Sequence, residues 1–171
     1  MQFRDLTADD IEVRVQSVKQ NGLILLLYKN ARVDMAILDE TVSPENWQRE
    51  HYECKGNLFC KVGINCNGEW VWKSDCGVES NTEAQKGEAS DSFKRACFNW
   101  GIGRELYTAP FIWVPASKCN IQNGKCYDRF AVEKIAIENK RITALSIINT
   151  SIQSEKMSDK RAFLMLPEDK K

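Results

Sequence analysis

Residues 82–107 read TEAQKGEASDSFKRACFNWGIGRELY, and this stretch decides the fold that the sequence predicts. Thr82 and Gln85 have the spacing of a capping box at a helix start, and Gly101 is typical of the position just after a helix end. Between them, apolar residues recur at steps of three and four, at Ala89, Phe93, Ala96, Cys97 and Trp100. The pattern predicts a long amphipathic helix whose apolar side packs on a sheet.

The same helix carries cations on a second side. Lys86, Ser90 and Lys94 follow one another at four-residue steps, and Arg95 adjoins Lys94. A row of such donors suits phosphate oxygens. A charged row is more often only the solvated side of a helix, and Asp91 is spaced to pair with Arg95. Spacing alone therefore leaves both interpretations open.

The glycines that follow the helix do not indicate a nucleotide site. A dinucleotide-binding fingerprint needs a third glycine, at the position that Leu106 occupies. Gly101 and Gly103 instead predict a tight break, followed by a short second helix over residues 104–107 that ends before Pro110.

Composition bounds the class of protein. A chain of 171 residues, 43% of them hydrophobic, is long enough to bury a core. We expect a core domain over residues 1–115, a hairpin extension over 116–153 and a charged tail over 154–171. The 24 basic and 24 acidic residues cancel, so an anion site must come from local clustering. No signal segment opens the chain, and the longest apolar run, residues 23–28, is too short to span a bilayer. We therefore expect a cytoplasmic protein without a membrane partner.

The seven cysteines include no C-x-x-C pair, which predicts free thiols. Zinc binding by Cys54, Cys60 and Cys66 with His51 is disfavoured, because structural zinc sites usually pair ligands two to four residues apart. We expect no metal and no cofactor.

The remaining elements give an α+β class, in which an antiparallel meander packs against the long helix and a hairpin follows near the C-terminus. Residues 11–15 fit either a strand or a short helix, residues 23–28 predict a buried strand, and residues 33–41 predict a helix that begins near Arg32. The meander has strands at 47–54, 58–66 and 69–76, with turns at 55–57 and 67–68. Residues 130–137 and 142–148 predict the hairpin, residues 116–129 a loop, and the tail is expected to be partly disordered or docked on a neighbour.

Alternation along the meander strands suggests a functional face. Val62 and Ile64 are expected to face the core and Lys61 the opposite side. We expect Lys61 and Lys73 to share the polar face of the sheet, near Trp70 and Trp72. Such a mixture suits base stacking and phosphate contacts, although tryptophans in strands more often serve packing alone.

The most specific motif is Asp91-x-x-Lys94-Arg95-Ala96, which is followed by an aromatic residue and the glycine break. Together with residues 10–16 and 44–47, it resembles the single-strand annealing proteins of the Rad-fifty-two superfamily, and most of all their short phage members of the Sak type. The resemblance covers about residues 5–115. It implies a helix packed on an antiparallel sheet, with subunits in a ring whose groove holds single-stranded DNA. It also implies annealing of complementary strands in homologous recombination and DNA repair, without ATP.

The resemblance implies that Lys86, Lys94, Arg95 and Arg32 hold the DNA backbone. With the strand lysines and the arginine of the short second helix, the candidate DNA-binding residues are Arg32, Lys61, Lys73, Lys86, Lys94, Arg95 and Arg104. A second, outer basic set of the family is not carried over, because residues 66–68 and 79–81 hold no cation. The expected partners are single-stranded DNA, further copies of the chain, and a single-strand binding protein or an exonuclease.

Two alternatives stay open. The acids Glu69, Asp75, Glu79 and Glu83 would serve a metal-dependent nuclease if at least two of them converged on one ion. The second alternative is a structural adaptor that binds another recombination protein through the tail. Annealing breaks no bond, so the favoured function needs neither a catalytic residue nor a metal.

Overall fold

The structure is a computed structural model that describes residues 1–78 and 84–168. The chain divides into two compact units. Unit 1 consists of Met1–Asp5 and Asn30–Gly103, and unit 2 consists of Leu6–Lys29 and Arg104–Lys171. The predicted α+β class is confirmed, whereas the predicted division at residues 115 and 153 stays a prediction. The elements in chain order are β1 (Glu12–Lys19), β2 (Gly22–Tyr28), α1 (Ala31–Val42), β3 (Trp47–Cys54), β4 (Asn57–Cys66), β5 (Glu69–Cys76), α2 (Ala84–Asn99), β6 (Ile112–Pro115), β7 (Ile121–Gln122), β8 (Lys125–Cys126), β9 (Phe130–Glu138), β10 (Arg141–Asn149), α3 (Met157–Lys160) and β11 (Arg161–Met165).

Unit 1 contains the predicted meander, with the strand order β3-β4-β5. Two-residue turns join the strands, and all four turn residues have positive φ, which is the geometry that favours a tight hairpin: Lys55, Gly56, Asn67 and Gly68. The second turn pairs Cys66 with Glu69, so each later pair of β4 and β5 is fixed as well.

The core of unit 1 lies between α2 and the sheet. Phe93, Ala96 and Cys97 of α2 are 0% exposed, as predicted for the apolar side of the helix. They face fully buried residues of β4, which are Cys60, Val62 and Ile64. Thr82, the predicted helix cap, lies outside the described residues.

Two glycines set how α2 ends and how close it comes to the sheet. Gly101 has φ +100°. Its N–H donates a hydrogen bond to Phe98 O, and the N–H of Ile102 donates one to Cys97 O. This is a Schellman motif, and it confirms the predicted helix end. At the end of β5, a Cβ on Gly77 would lie 2.3 Å from Glu88 O, so only glycine allows this approach of strand and helix.

Unit 2 is built on a six-stranded sheet with the order β11-β10-β9-β1-β2-β6. Residues 12–19 form a strand, which settles the alternative that the sequence left open. The predicted C-terminal hairpin is confirmed as β9 and β10, and its β9 pairs with β1 through Glu12 and Ala131. The outermost strands β6 and β11 contact each other, so the sheet curls toward closure.

Unit 2 contains two elements that the sequence did not predict. The predicted loop over residues 116–129 contains a short hairpin of β7 and β8. In the tail, residues 161–165 form β11, which pairs with β10 because its apolar residues complete the sheet there. Arg161 Nη2 lies 3.2 Å from Glu133 Oε1, and hydrogen bonds from Arg161 lower the pKa of Glu133.

None of the helices in the described residues has the length and apolar character needed to span a membrane.

Candidate nucleic-acid interface

The cations of α2 lie along the parts of the helix that the sheet leaves uncovered. Lys86 is exposed, and Lys94 and Arg95 are half-buried. Lys86 and Lys94 are eight residues apart, which places them about 80° apart around the helix. Arg95 lies about 100° further around the helix, since a turn takes about 3.6 residues. The three cations therefore do not form the single row that the sequence predicted. Lys86 lies on the same side of the helix as Phe93, seven residues later, whereas Arg95 lies on the flank next to β5.

Asp75 of β5 is the acidic partner that the structure shows for Arg95. Arg95 Nε lies 3.5 Å from Asp75 Oδ1, and 42% of the Arg95 side chain stays exposed. Asp75 also accepts hydrogen bonds from Cys76 N at 2.7 Å and from Asn99 Nδ2 at 3.4 Å. Asp91, the partner suggested by helix spacing, instead accepts the backbone N–H of Val78 at 2.9 Å. Arg95 Nε is therefore buried within ion-pair distance of Asp75 without a hydrogen bond, while part of the Arg95 side chain stays exposed.

Arg32 is exposed in the first turn of α1. Its backbone N–H is donated to Asn30 Oδ1 at 2.7 Å, which caps the helix. A cation at a helix N-terminus opposes the helix dipole, so helix stability does not explain its presence. Because α1 packs against α2 inside unit 1, Arg32 belongs to the same unit as the α2 cations.

Lys73 is engaged by the end of α2. Its Nζ donates to Asn99 O at 3.2 Å and lies 4.9 Å from the centre of the Trp100 ring. A cation at the last carbonyls of a helix stabilises both those carbonyls and the helix dipole. Lys73 therefore has a structural task that the sequence alone did not reveal.

Lys61 and Lys73 lie on opposite faces of the sheet, so the expectation that they share one face is wrong. Residues paired across antiparallel strands point to the same side, and Lys73 pairs with Val62, whereas Lys61 pairs with Ser74. Lys61 lies on the face turned away from α2, which we call the outer face. Its residues are Gln48, Glu50, Tyr52, Cys54, Asn57, Phe59, Lys61, Gly63, Asn65, Trp70, Trp72, Ser74 and Cys76.

Arg104 is exposed and opens a 3-10 turn, Arg104–Thr108, where the sequence predicted the short second helix. It belongs to unit 2, whereas the other six candidates belong to unit 1. The seven candidates therefore do not form one set within a single unit.

The acids proposed for a nuclease alternative are not brought together in the part of the chain that the structure describes. No group of three His, Cys, Asp or Glu side chains suited to a metal occurs in that part. Asp75 is engaged by Arg95 and Asn99, and Glu79 and Glu83 lie outside the described residues. Of the cysteines considered for zinc, Cys60 is fully buried, and burial raises the pKa of its thiol to about 11.

Several polar contacts that position α2 were missed by sequence reasoning. Trp100 Nε1 donates to Val62 O at 2.9 Å, and His51 Nε2 lies 3.1 Å from Ala89 O. The Arg49 guanidinium lies 4.7 Å from the centre of the Phe93 ring. For the strand residues, the sequence did contain a usable signal. The two-residue turns fix the pairing register, and that register places Arg49, His51 and Asp75 on the face that α2 covers.

Most of the meander, all of α2 and the residues just beyond it fall within a known family pattern. Residues 51–125 match the family described as Rad52/22 family double-strand break repair protein, which confirms the resemblance to the Rad52 superfamily. Six of the seven candidate cations lie in this stretch, and Arg32 lies before it. The narrower resemblance to the Sak type stays a prediction.

A particular relative is similar over a comparable length. The chain is 31% identical over 99 residues to the Single-stranded DNA-binding protein DdrA of Deinococcus radiodurans. The aligned part covers 57% of this chain and 47% of that protein, so this chain corresponds to about half of the relative's length.

Proposed function

We propose that this chain binds single-stranded DNA and promotes the annealing of complementary strands in recombination and repair. The observation that carries the proposal is α2, which buries Phe93, Ala96 and Cys97 on the sheet and leaves Lys86 exposed and Lys94 and Arg95 half-buried. The family match over residues 51–125 and the similarity to a protein named for single-stranded DNA binding support it.

The proposed contacts are to phosphates. Lysine and arginine side chains hold backbone phosphates without reading sequence, which leaves base edges available for pairing. Lys86, Lys94 and Arg95 are the central contacts, and Arg32 adds to them from the same unit. Lys73 contributes mainly to the end of α2, and Arg104 is a separate contact from unit 2.

Self-association is part of the proposal. The formal net charge of the chain is 0, so one copy attracts a polyanion weakly. Several copies that hold one strand together bind far more tightly than one copy, because each further contact is intramolecular. We propose a homo-oligomer, with a ring as the form that the family resemblance implies. Bringing two strands together breaks no covalent bond, so the proposed activity needs no metal or nucleotide.

The test compares Lys94→Ala with Lys125→Ala, since Lys125 is an exposed lysine in the β7–β8 hairpin of unit 2. Fluorescence anisotropy with a labelled oligonucleotide at several salt concentrations measures the affinity and its salt dependence. For Lys94→Ala, we expect the slope of log K against log salt to fall by about 0.7, the value per phosphate contact for single strands. Lys125→Ala keeps the parent slope.

Annealing is measured separately, by energy transfer between two labelled complementary oligonucleotides, with light scattering for oligomer mass. Failure of the parent protein to bind or anneal DNA contradicts the function. Equal salt slopes for Lys94→Ala and the parent contradict the site. Magnesium-dependent cleavage of the oligonucleotide would favour the nuclease alternative.

A further inference from the structure

The outer face presents aromatic rings to solvent. Tyr52, Trp70 and Trp72 are 36%, 37% and 38% exposed. In unit 1, α2 packs on the opposite face of β4 and β5. Contiguous exposed apolar patches mark interaction sites, whereas single scattered apolar residues on a surface are ordinary.

The rings of the outer face lie close to one another. The Trp72 ring packs against Gly63. A Cβ at this position would lie 2.8 Å from the ring, so only glycine allows the ring to contact the backbone here. Trp70 follows with its ring centre 6.3 Å from that of Trp72, and Tyr52 stacks on Phe59 at 5.5 Å. One side of the Trp72 ring lies on the backbone, and the flexible Lys61 side chain lies over the ring, so a flat partner stacks there by displacing that side chain.

The charge on this face selects among partners. Its cation Lys61 lies 3.1 Å from its anion Glu50, so the two neutralise each other. Lys61 Nζ also lies 4.8 Å from the centre of the Trp72 ring. The other polar side chains among the outer-face residues include Gln48, Asn57, Asn65, Ser74 and the Tyr52 hydroxyl, all of them uncharged. A neutral face of rings and amides does not attract phosphates, but it matches the uncharged, flat nucleobases.

We propose that the outer face is a second nucleic-acid contact, which stacks unpaired nucleobases on Trp70 and Trp72. The inference rests on the proposed function, and it adds a contact of different chemistry from that of the α2 cations. Because the sheet separates the two sets of residues, they engage different nucleotides, one set through bases and the other through phosphates.

The test uses the double variant Trp70→Leu/Trp72→Leu, with Tyr127→Leu as the matched control because Tyr127 is 82% exposed in unit 2. Each protein is titrated with an oligonucleotide that carries bases and with an abasic oligonucleotide of equal length. We expect the double variant to bind the first about tenfold more weakly and the second as the parent does, with an unchanged salt slope. Tyr127→Leu binds both like the parent.

A second readout follows stacking directly. An oligonucleotide with 2-aminopurine loses fluorescence when the parent stacks on it, and the double variant abolishes this loss. The single variant Trp72→Phe keeps a ring on Gly63, so it retains most of the fluorescence loss. The single variant Trp72→Leu does not. Circular dichroism and a urea titration confirm that each variant is folded.

Three outcomes overturn the inference. Equal affinity of the parent and the double variant for the base-carrying oligonucleotide removes the stacking contact and leaves the proposed function intact. A loss of oligomer mass in light scattering, with equal effects on both oligonucleotides, makes the outer face a contact between copies of the chain. If the parent binds neither oligonucleotide, the proposed function falls and the inference falls with it.

Discussion

The two faces of the three-stranded sheet carry similar side chains but use them differently. On the side of α2, Lys73, Asp75 and His51 are tied to the helix by hydrogen bonds and ion pairs. On the outer face, Lys61 and Glu50 pair with each other, and Trp70 and Trp72 stay about one-third exposed. The same residue types, lysine and aromatic residues, therefore hold a helix on one face and form an exposed surface on the other. The pairing register determines on which face each residue lies.

The largest expected contrast is in stability. Phe93→Ala removes a ring that is 0% exposed and lies 6.1 Å from the Trp47 ring, so we expect the free energy of unfolding to fall by about 3–5 kcal/mol. Phe59→Ala on the outer face should cost clearly less, because Phe59 is only half-buried. Urea titrations of the two variants measure the difference. Equal losses would mean that both faces are core.

The next contrast is in thiol reactivity. Burial raises the pKa of Cys60 from 9.0 to about 11, so below that pH its reactive thiolate is scarce. Two pH units correspond to about a hundredfold lower thiolate fraction, and burial hinders the reagent further. Cys54 is exposed at the end of β3. Iodoacetamide at pH 8 followed by peptide mass spectrometry should therefore show labelled Cys54 and unlabelled Cys60. Comparable labelling in the folded protein would contradict the burial of the helix side.

A smaller effect is expected from Asp75, which competes with phosphate for Arg95. Asp75→Asn removes that negative charge but keeps an oxygen that accepts hydrogen bonds. We expect single-stranded DNA binding to tighten by about twofold to fivefold, while Asp159→Asn, on the exposed α3, changes nothing. Anisotropy titrations at low salt give the comparison. Weaker binding of Asp75→Asn would show instead that the ion pair aims Arg95 at the DNA.

The smallest effect separates the two lysines that the sequence grouped. Lys73→Met removes the cation at the last carbonyls of α2, and we expect a loss of about 0.3–1 kcal/mol in stability with the parent salt slope for DNA. Lys61→Met should leave the unfolding midpoint within error, because an exposed ion pair contributes little. Thermal unfolding and salt titrations of both variants provide the check. A reduced salt slope for Lys73→Met would show that Lys73 contacts a phosphate of the DNA.

Local patterns were sufficient for the elements of unit 1. The Asn67-Gly68 turn, the alternation of the strands and the stop at Gly101 all act over a few residues, so they can be read directly from the sequence.

Contacts between elements were not readable from those patterns. Alternation sorts each strand into two sets of residues, but only the register tells which set of β5 shares a face with Lys61. The pairing of Glu12 with Ala131 joins strands far apart in the chain, and no local signal announces it. For the same reason Asp75 was not recognised as the partner of Arg95, because the pair joins a strand to a helix.

The two-residue turn at Asn67-Gly68 also restricts how the length of this hairpin can change. One inserted residue that shifted β5 by a single position would swap inside and outside, bringing Trp70 and Trp72 beneath α2 and sending Lys73 and Asp75 into water. A two-residue insertion would keep every side chain of β5 on its present side. Viable relatives with longer hairpins here should therefore differ from this chain by even numbers of residues, unless a bulge restores the parity.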